Sequence, residues 1–226
     1  MRRFHSFLTC LLLAAGGLLA QTAAPPSVQA TGSATVSANP DQATLTIGVV
    51  TNGATAQDAA QQNATLATNV QNAIKAVLGT NGIIQTVGYS VSPRYSNTQP
   101  AAVIGYTASN TVLVTSYDLS ILGRLIDSAN QAGANNVGGI SFGLRNSDPF
   151  VLQALNQASK VALTHAGAIA AGLGGRTGAV LSAQEGSSYT PYAVAGPSAG
   201  AGDTTPIKSG LVTVSATVAV NVQLIQ

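Results

Sequence analysis

The C-terminal end of the chain alternates strictly between apolar and polar side chains. Apolar residues occupy every second position from Val212 to Leu224, and most of the positions between them are Thr, Ser, Asn or Gln. A period of two is typical of a β-strand that buries one face and exposes the other. A run of thirteen such residues is longer than an ordinary strand. The fold must therefore contain a sheet that is covered on one face only.

Two similar runs stand near the start of the chain. Residues 31–38 and 43–49 both alternate, and Asn39-Pro40-Asp41 between them is a turn signal. Two alternating runs joined by a short turn predict an antiparallel hairpin. Two further strands are predicted to pack their tyrosines in the sheet core. Their aligned residues are Ile83, Val87, Tyr89, Val91 and Tyr95 in the first strand, and Ile104, Tyr106, Ala108, Val112 and Val114 in the second.

Three helices are expected among these strands. Thr55 and Asp118 are predicted to cap the first two, and Ser147-Asp148-Pro149 to begin a third that runs to about Leu173. The third helix is apolar on nearly all sides, which predicts that it is deeply buried or covered by a partner. Half-buried strands with a few helices indicate an α+β fold, with an antiparallel-rich mixed sheet and about three helices packed on one face.

The first residues predict export. A basic start, Met-Arg-Arg, precedes a short apolar run that ends in small residues, which is typical of a signal peptide over residues 1–20. Residues 21–30 are expected to form a flexible lead-in, and residues 31–226 a single domain with a low-complexity loop at 186–206. The apolar run is too short to span a bilayer comfortably. We therefore expect a periplasmic or secreted protein with no stable membrane span after cleavage of the signal.

Charge and sulfur are both scarce beyond the leader. Arg2 and Arg3 lie in the leader, so seven of the nine basic residues remain against seven acidic ones, and the net charge falls to about zero. The basic residues therefore do not indicate nucleic acid, and a weakly charged surface favours self-association. Cys10 also lies in the leader, and His165 is the one histidine after it. We therefore predict no metal site, no cofactor and no thiol chemistry.

Short motifs spread along the chain resemble one family. The matching pieces are Gly32-Ser-Ala-Thr-Val36, Pro40-Asp41, Ile47-Gly-Val49, Thr86-Val-Gly-Tyr89-Ser-Val-Ser-Pro93-Arg-Tyr95, Gly105-Tyr106-Thr-Ala-Ser-Asn110, Leu125-Ile126-Asp127-Ser-Ala129, Gly133-Ala-Asn135, Ile140-Ser-Phe142 and Gly210-Leu-Val-Thr-Val-Ser-Ala216-Thr-Val. In this order they resemble the SIMPL-domain family of YggE-like periplasmic proteins linked to oxidative-stress defence. The resemblance implies an exported bacterial protein with an α+β fold and a tendency to oligomerise, and it brings no catalytic residue.

Two motifs suggest chemistry by their letters. Gly139-Ile-Ser141-Phe-Gly143 matches the nucleophile elbow of hydrolases, but that motif needs a sharp turn from strand to helix at the serine, and here the strand pattern continues. Gly172-Leu-Gly-Gly175 follows a helix and is predicted to end it, whereas a phosphate cradle precedes one. His165 on an apolar helix is predicted to be a packed or interface residue. We therefore assign no catalytic, cofactor-binding or metal-binding residue.

Two functions remain open at this point. The first is an exported, non-enzymatic envelope protein that self-assembles, as a homo-oligomer, with an indirect role in stress defence. The alternative is a binding module for an envelope protein partner or a small apolar ligand, with the 186–206 loop and its Tyr189 and Tyr192 as the contact.

Overall fold

A computed structural model describes residues 25–186, 193–194 and 207–226. The predicted α+β class with three α-helices is confirmed, and the strands form two antiparallel sheets. In chain order the elements are β1 (Ser27–Ala38), β2 (Gln42–Gly53), α1 (Ala56–Leu78), β3 (Gly82–Tyr95), β4 (Val103–Ser116), a 3-10 turn (Leu119–Ile121), α2 (Leu122–Gln131), β5 (Asn136–Gly143), α3 (Asp148–Gly172), β6 (Arg176–Glu185), β7 (Ala193–Val194) and β8 (Val212–Ile225).

The larger sheet has the strand order β3-β4-β2-β5-β7. Helix α1 covers one face of it, chiefly over β2 and β4, and α2 packs against α1. The apolar positions of β2 and the buried stripes of the two helices meet in one core. Its largest fully buried side chains include Leu45, Ile47, Ile74, Leu125 and Phe142.

The smaller sheet has the order β1-β8-β6, and α3 lies across β1 and β8. The long alternating strand β8 is its central strand, buried at every second residue from Val212 to Val222. Helix α3 buries one alanine per turn against this sheet. The stripe consists of Ala154, Ala158, Ala162, Ala166 and Ala170. Because alanine is short, the helix approaches the sheet closely.

The predicted hairpin of residues 31–38 and 43–49 is wrong. Strand β1 pairs with β8 along its whole length, whereas β2 pairs with β4 and β5. The Asn39-Pro40-Asp41 segment carries the chain from one sheet into the other. Asp41 holds this crossover, because its N–H donates to Gly143 O and its carboxylate accepts the N–H of Arg145. The strands that were expected to form one mixed sheet therefore form two separate antiparallel sheets.

The lead-in predicted for residues 21–30 needs a correction at its end. Strand β1 begins at Ser27, and Val28 and Ala30 are buried under α3. Val28 and Ala30 continue the alternation of the later part of the strand, so they pack in the same way and the strand starts before residue 31. Residues 1–20, predicted as a signal peptide, lie outside the described residues, as does most of the 186–206 loop with Tyr189 and Tyr192.

The predicted single face of β3 is also corrected. A β-bulge between Thr86 and Gly88 shifts the register with β4, so Ile83 lies on the opposite face from Tyr89 and Tyr95. Both tyrosines are exposed and do not belong to the core. They are exposed because β3 is an edge strand of the sheet, and α1 covers mainly the neighbouring strands.

The helix ends follow the sequence signals in part. Thr55 Oγ1 accepts the N–H of Asp58, so the predicted cap of α1 is confirmed. The Asp118 carboxylate accepts the N–H of Ser120 and caps the 3-10 turn, whereas α2 itself begins at Leu122 without a side-chain cap. Ser147 precedes α3, but its side chain makes no capping bond. The Asn146 side chain instead accepts the N–H of Asp148.

The glycines after α3 end that helix, as predicted. Gly174 has a φ of +78°, a conformation that glycine adopts without strain. The N–H groups of Gly174 and Gly175 donate to Ala171 O and Ala170 O, which is the Schellman arrangement.

Candidate functional site

Ser141 lies in the middle of a sheet. It belongs to β5, opposite Thr44 of β2 on one side and Val194 of β7 on the other. A nucleophile elbow requires the chain to turn sharply at the serine and enter a helix. Because the strand continues to Gly143, the elbow geometry is not formed at Ser141.

His165 is exposed on α3 and bonds to the neighbouring strand. Its Nδ1 lies 2.9 Å from the carbonyl oxygen of Thr31 in β1. A carbonyl only accepts, so Nδ1 carries the hydrogen in this bond. Within the ranges that the structure describes, no group of three His, Cys, Asp or Glu side chains is placed to hold a metal ion. In the same ranges, no helix has the length and apolar character needed to cross a bilayer.

Asn63 is the most deeply buried polar side chain of α1. Its Nδ2 donates to Val49 O at 2.8 Å and to Ala108 O at 3.1 Å, which ties the helix to β2 and β4. Its Oδ1 is buried without a hydrogen-bond partner. The residue is wholly enclosed by the fold. We therefore assign it to the core rather than to a site.

The outer surface of α3 is the largest apolar feature that the sequence analysis pointed to. Four large apolar side chains in or directly after α3 are exposed, and we call them the outer α3 surface: Leu152, Leu163, Ile169 and Leu173. Leu152 is 66% exposed and Leu173 is 62% exposed. After the first turn, Lys160 and His165 are the only side chains of α3 that can carry a charge. Exposed apolar side chains that lie together mark interaction sites more often than isolated ones do, and here Ile169 and Leu173 are neighbours at a spacing of four residues.

One row of α3 lies along β1. Val161, His165, Ile169 and Leu173 are spaced four residues apart, which places them on the same side of the helix. The His165–Thr31 bond shows that this side faces β1. Between the row and the strand runs an open groove of about 600 Å³, bounded by Gln29, Thr31 and Ile169 among others. We call this row the β1-side row.

A second apolar surface lies toward the loop end of the β3–β4 hairpin. Tyr95 is paired with Val103, and Tyr89 lies on the same face of β3. All three side chains are more than a third exposed. We call them the hairpin patch. The alternation of β3 indicated that the tyrosines share a face, but only the strand order shows that β3 is an edge strand, at the border of the face that α1 covers.

The Asp118 carboxylate accepts hydrogen bonds at the start of the 3-10 turn. Hydrogen bonds from the Ser120 hydroxyl and backbone N–H lower the pKa of this carboxyl, Arg124 adds to the effect, and partial desolvation opposes it. The group is on the surface and caps the turn before α2. The shift is therefore explained by capping and does not indicate a reactive site.

These features define an α+β protein with two antiparallel sheets and a largely apolar third helix whose outer side chains are exposed. The model of the SIMPL family, described as a protein of unknown function (DUF541), matches residues 28–222. The chain belongs to this family. It is 28% identical over 173 residues to the 26 kDa periplasmic immunogenic protein of Brucella melitensis, covering 71% of this chain and 68% of that protein. It is 32% identical over 190 residues to the uncharacterized protein YggE of Edwardsiella ictaluri, covering 77% and 78% respectively. The predicted location in the bacterial envelope is confirmed by the Brucella relative, which is named a periplasmic protein.

Proposed function

We propose that this chain is a non-enzymatic envelope protein that self-assembles, and that any contribution to stress defence is indirect. The observation that carries the proposal is the outer α3 surface, where Leu152, Leu163, Ile169 and Leu173 are exposed on a helix with almost no charge. Water contact at these side chains is unfavourable, and a second copy can remove it.

The magnitude of this effect sets the strength of assembly. Full burial of a Leu or Ile side chain contributes about 1.5–3 kcal/mol, so four half-exposed side chains on each of two copies offer on the order of 8 kcal/mol. Association costs about 4–15 kcal/mol in lost translational and rotational freedom. The outer α3 surface therefore supports association, but a stable assembly needs a further contact.

The charge distribution favours the same conclusion. Beyond the leader the chain carries seven residues of each sign, so two copies meet without net repulsion. Direct scavenging of oxidants usually requires thiols, thioethers, metals or flavins. Residues 21–226 contain no Cys and no Met. Protection through structure or partner binding fits this composition, and peroxide consumption by the purified, metal-free protein would contradict it.

The test is the solution mass of the exported chain, residues 21–226, by light scattering behind size-exclusion chromatography. We expect an oligomer at micromolar concentration. The double substitution Leu163→Gln and Ile169→Gln should shift the oligomer toward monomer. Leu211→Gln is the matched control, because Leu211 is also exposed and apolar but lies before β8. A monomeric wild type, or equal dissociation by the control, would refute the proposal.

The hairpin patch favours the alternative, a binding module for an envelope partner or a small apolar ligand. Aromatic side chains with an apolar body and a polar tip are common at interfaces. Under this alternative, Tyr89→Ser with Tyr95→Ser abolishes capture of an envelope protein from a periplasmic extract and leaves the solution mass unchanged. Deletion of residues 187–206 tests the predicted loop contact in the same assay. An enzymatic function requires a hydrolase activity that Ser141→Ala abolishes.

A further inference from the structure

Among the described residues, no strand pairs with the outer edge of β1, which carries a regular row of backbone N–H and C=O groups. Leu224 N donates to Pro26 O, so this pair is hydrogen-bonded. The register with β8 then runs without a shift from Ser27 to Ala38. In an antiparallel ladder every second pair is hydrogen-bonded. The even-numbered residues of β1 therefore bond to β8, and the odd-numbered ones direct N–H and C=O away from it. The Thr31 carbonyl, which meets His165, agrees with this assignment.

Proteins usually protect sheet edges against pairing with another chain, by bulges, charges, proline or short length. Among the described residues, three of the four edge strands carry such devices. Strand β3 has two register shifts together with Pro93 and Arg94, β6 has two shifts and charged ends, and β7 has two residues.

Strand β1 has none of these devices. It is straight over 12 residues, and its sequence SVQATGSATVSA contains no charge and no proline. An edge of this kind is a template for another strand. The β1-side row of α3 lies directly above it, with Ile169 and Leu173 exposed and the open groove between them and the strand.

We propose that β1 is the seam of a dimer, in which it pairs antiparallel with β1 of a second copy. The two smaller sheets then form one continuous sheet of six strands, with both α3 helices on the same face. The inference rests on the proposed self-assembly and names the surface that performs it.

Full overlap of the two strands fixes the register. Pairing of outward residues places Thr31 opposite Ser33 of the second copy, with the two-fold axis at Gly32. The six odd-numbered residues from Ser27 to Ser37 then form six pairs, which gives about twelve hydrogen bonds at two per pair. The Thr31 carbonyl can serve both His165 and the second strand, because a carbonyl oxygen has two lone pairs.

A second copy suits this edge for three reasons. Neutral strands meet without like-charge repulsion. Hydroxyl pairs already join β1 to β8, with Ser33 to Thr217 at 3.1 Å and Thr35 to Ser215 at 3.0 Å, and the new seam continues this Ser/Thr ladder. Finally, strands are about 4.8 Å apart, so two helices that each lie between β1 and β8 are about 10 Å apart. Helices pack at about 8–10 Å. The β1-side rows therefore meet as the strands pair.

Cysteine cross-linking tests the seam directly, since the exported chain has no cysteine of its own. The exported chain is prepared with Thr31→Cys and, separately, with Ser33→Cys, and the two are mixed and oxidised. Residues opposite each other in a ladder are within disulfide reach. Ser90→Cys on β3 and Ser182→Cys on β6 are matched controls, because both serines are exposed on other edge strands.

We expect the mixed Thr31→Cys and Ser33→Cys sample to give at least five times more disulfide-linked dimer than either control. If light scattering shows an oligomer but the cross-links form at Ser90→Cys or Ser182→Cys, the β1 seam is overturned and self-assembly stands. If the wild type is a monomer, both the seam and self-assembly are overturned, also where another segment of the same chain covers β1. Cross-linking that is strongest for Thr31→Cys with itself would overturn the register.

Discussion

Gly32 is the position where one methyl group should have the largest effect on stability. Its φ is outside the left-handed region, so the backbone tolerates any residue, and the requirement is for space. A Cβ at this position would overlap Ala158 O and Ala162 N, and would lie 3.0 Å from Ala162 Cα. These atoms belong to the backbone of α3 and cannot rotate away. Gly32→Ala must therefore displace the helix by about 1 Å to reach ordinary contact distances.

The cost follows from the alanine stripe. A gap of about 1 Å removes up to half of the dispersion energy of each separated contact, and overpacking in protein cores costs about 1–3 kcal/mol. Reduced freedom of the unfolded chain returns about 0.4–1 kcal/mol. We place the net loss near the upper end, at about 2 kcal/mol, because the obstructing atoms are rigid. For a chain of this size that corresponds to a fall in Tm of roughly 4–8 °C.

Gly167→Ala is the matched control. Gly167 lies in the same helix, and a Cβ there meets nothing within 4 Å. Alanine in place of glycine in a helix contributes about 0.8–1 kcal/mol, so this variant should melt higher than wild type. Both variants are compared by urea denaturation and thermal melting followed by circular dichroism, at one protein concentration because assembly shifts the midpoint. Equal midpoints for Gly32→Ala and wild type would show that α3 does not approach β1 as closely as described.

Three further predictions concern single side chains. Asn63→Asp should lower the free energy of unfolding by about 2–4 kcal/mol at neutral pH, because a carboxylate cannot donate to the two strand carbonyls. Urea titration at pH 7 and pH 4 should show that this loss is smaller in acid. A loss that does not depend on pH would contradict the prediction. Asp118→Asn should lower stability at neutral pH, and the difference from wild type should disappear as the pH falls. The sign follows because hydrogen bonds from Ser120 lower the folded-state pKa, so this stability is present above the unfolded pKa and is lost below it; equal pH profiles for the two proteins would exclude this capping role. Thr55→Ala should cost about 1 kcal/mol through loss of the bond to the Asp58 N–H, while Thr55→Ser, measured alongside, should retain most of it.

The sequence signals were most accurate where the cause is local. Period-two alternation placed β8 and the other long strands, and the caps at Thr55 and Asp118 placed the start of α1 and of the 3-10 turn before α2. Gly174 and Gly175 ended α3 as predicted. Each of these outcomes depends on neighbouring residues and on the backbone conformations that they favour.

The sequence did not show which strands pair with each other. The alternation of β1 is satisfied equally well beside β2 or beside β8, which is far away in sequence. The correct pairing depends on which strand completes the surface under α3. The bulge near Gly88 likewise reverses a face without leaving a sign in the hydrophobic pattern.

The sequence by itself determined the α+β class, the exported character, the shortage of thiols and metal-binding side chains, and an apolar third helix. Only the tertiary structure decided which side of that helix is free and which strand edge lies beside it. The physical reason is that burial and pairing are properties of surfaces assembled from distant segments. The alanine stripe turns one side of α3 onto β1 and β8, and this leaves Ile169 and Leu173 exposed beside the unprotected edge of β1.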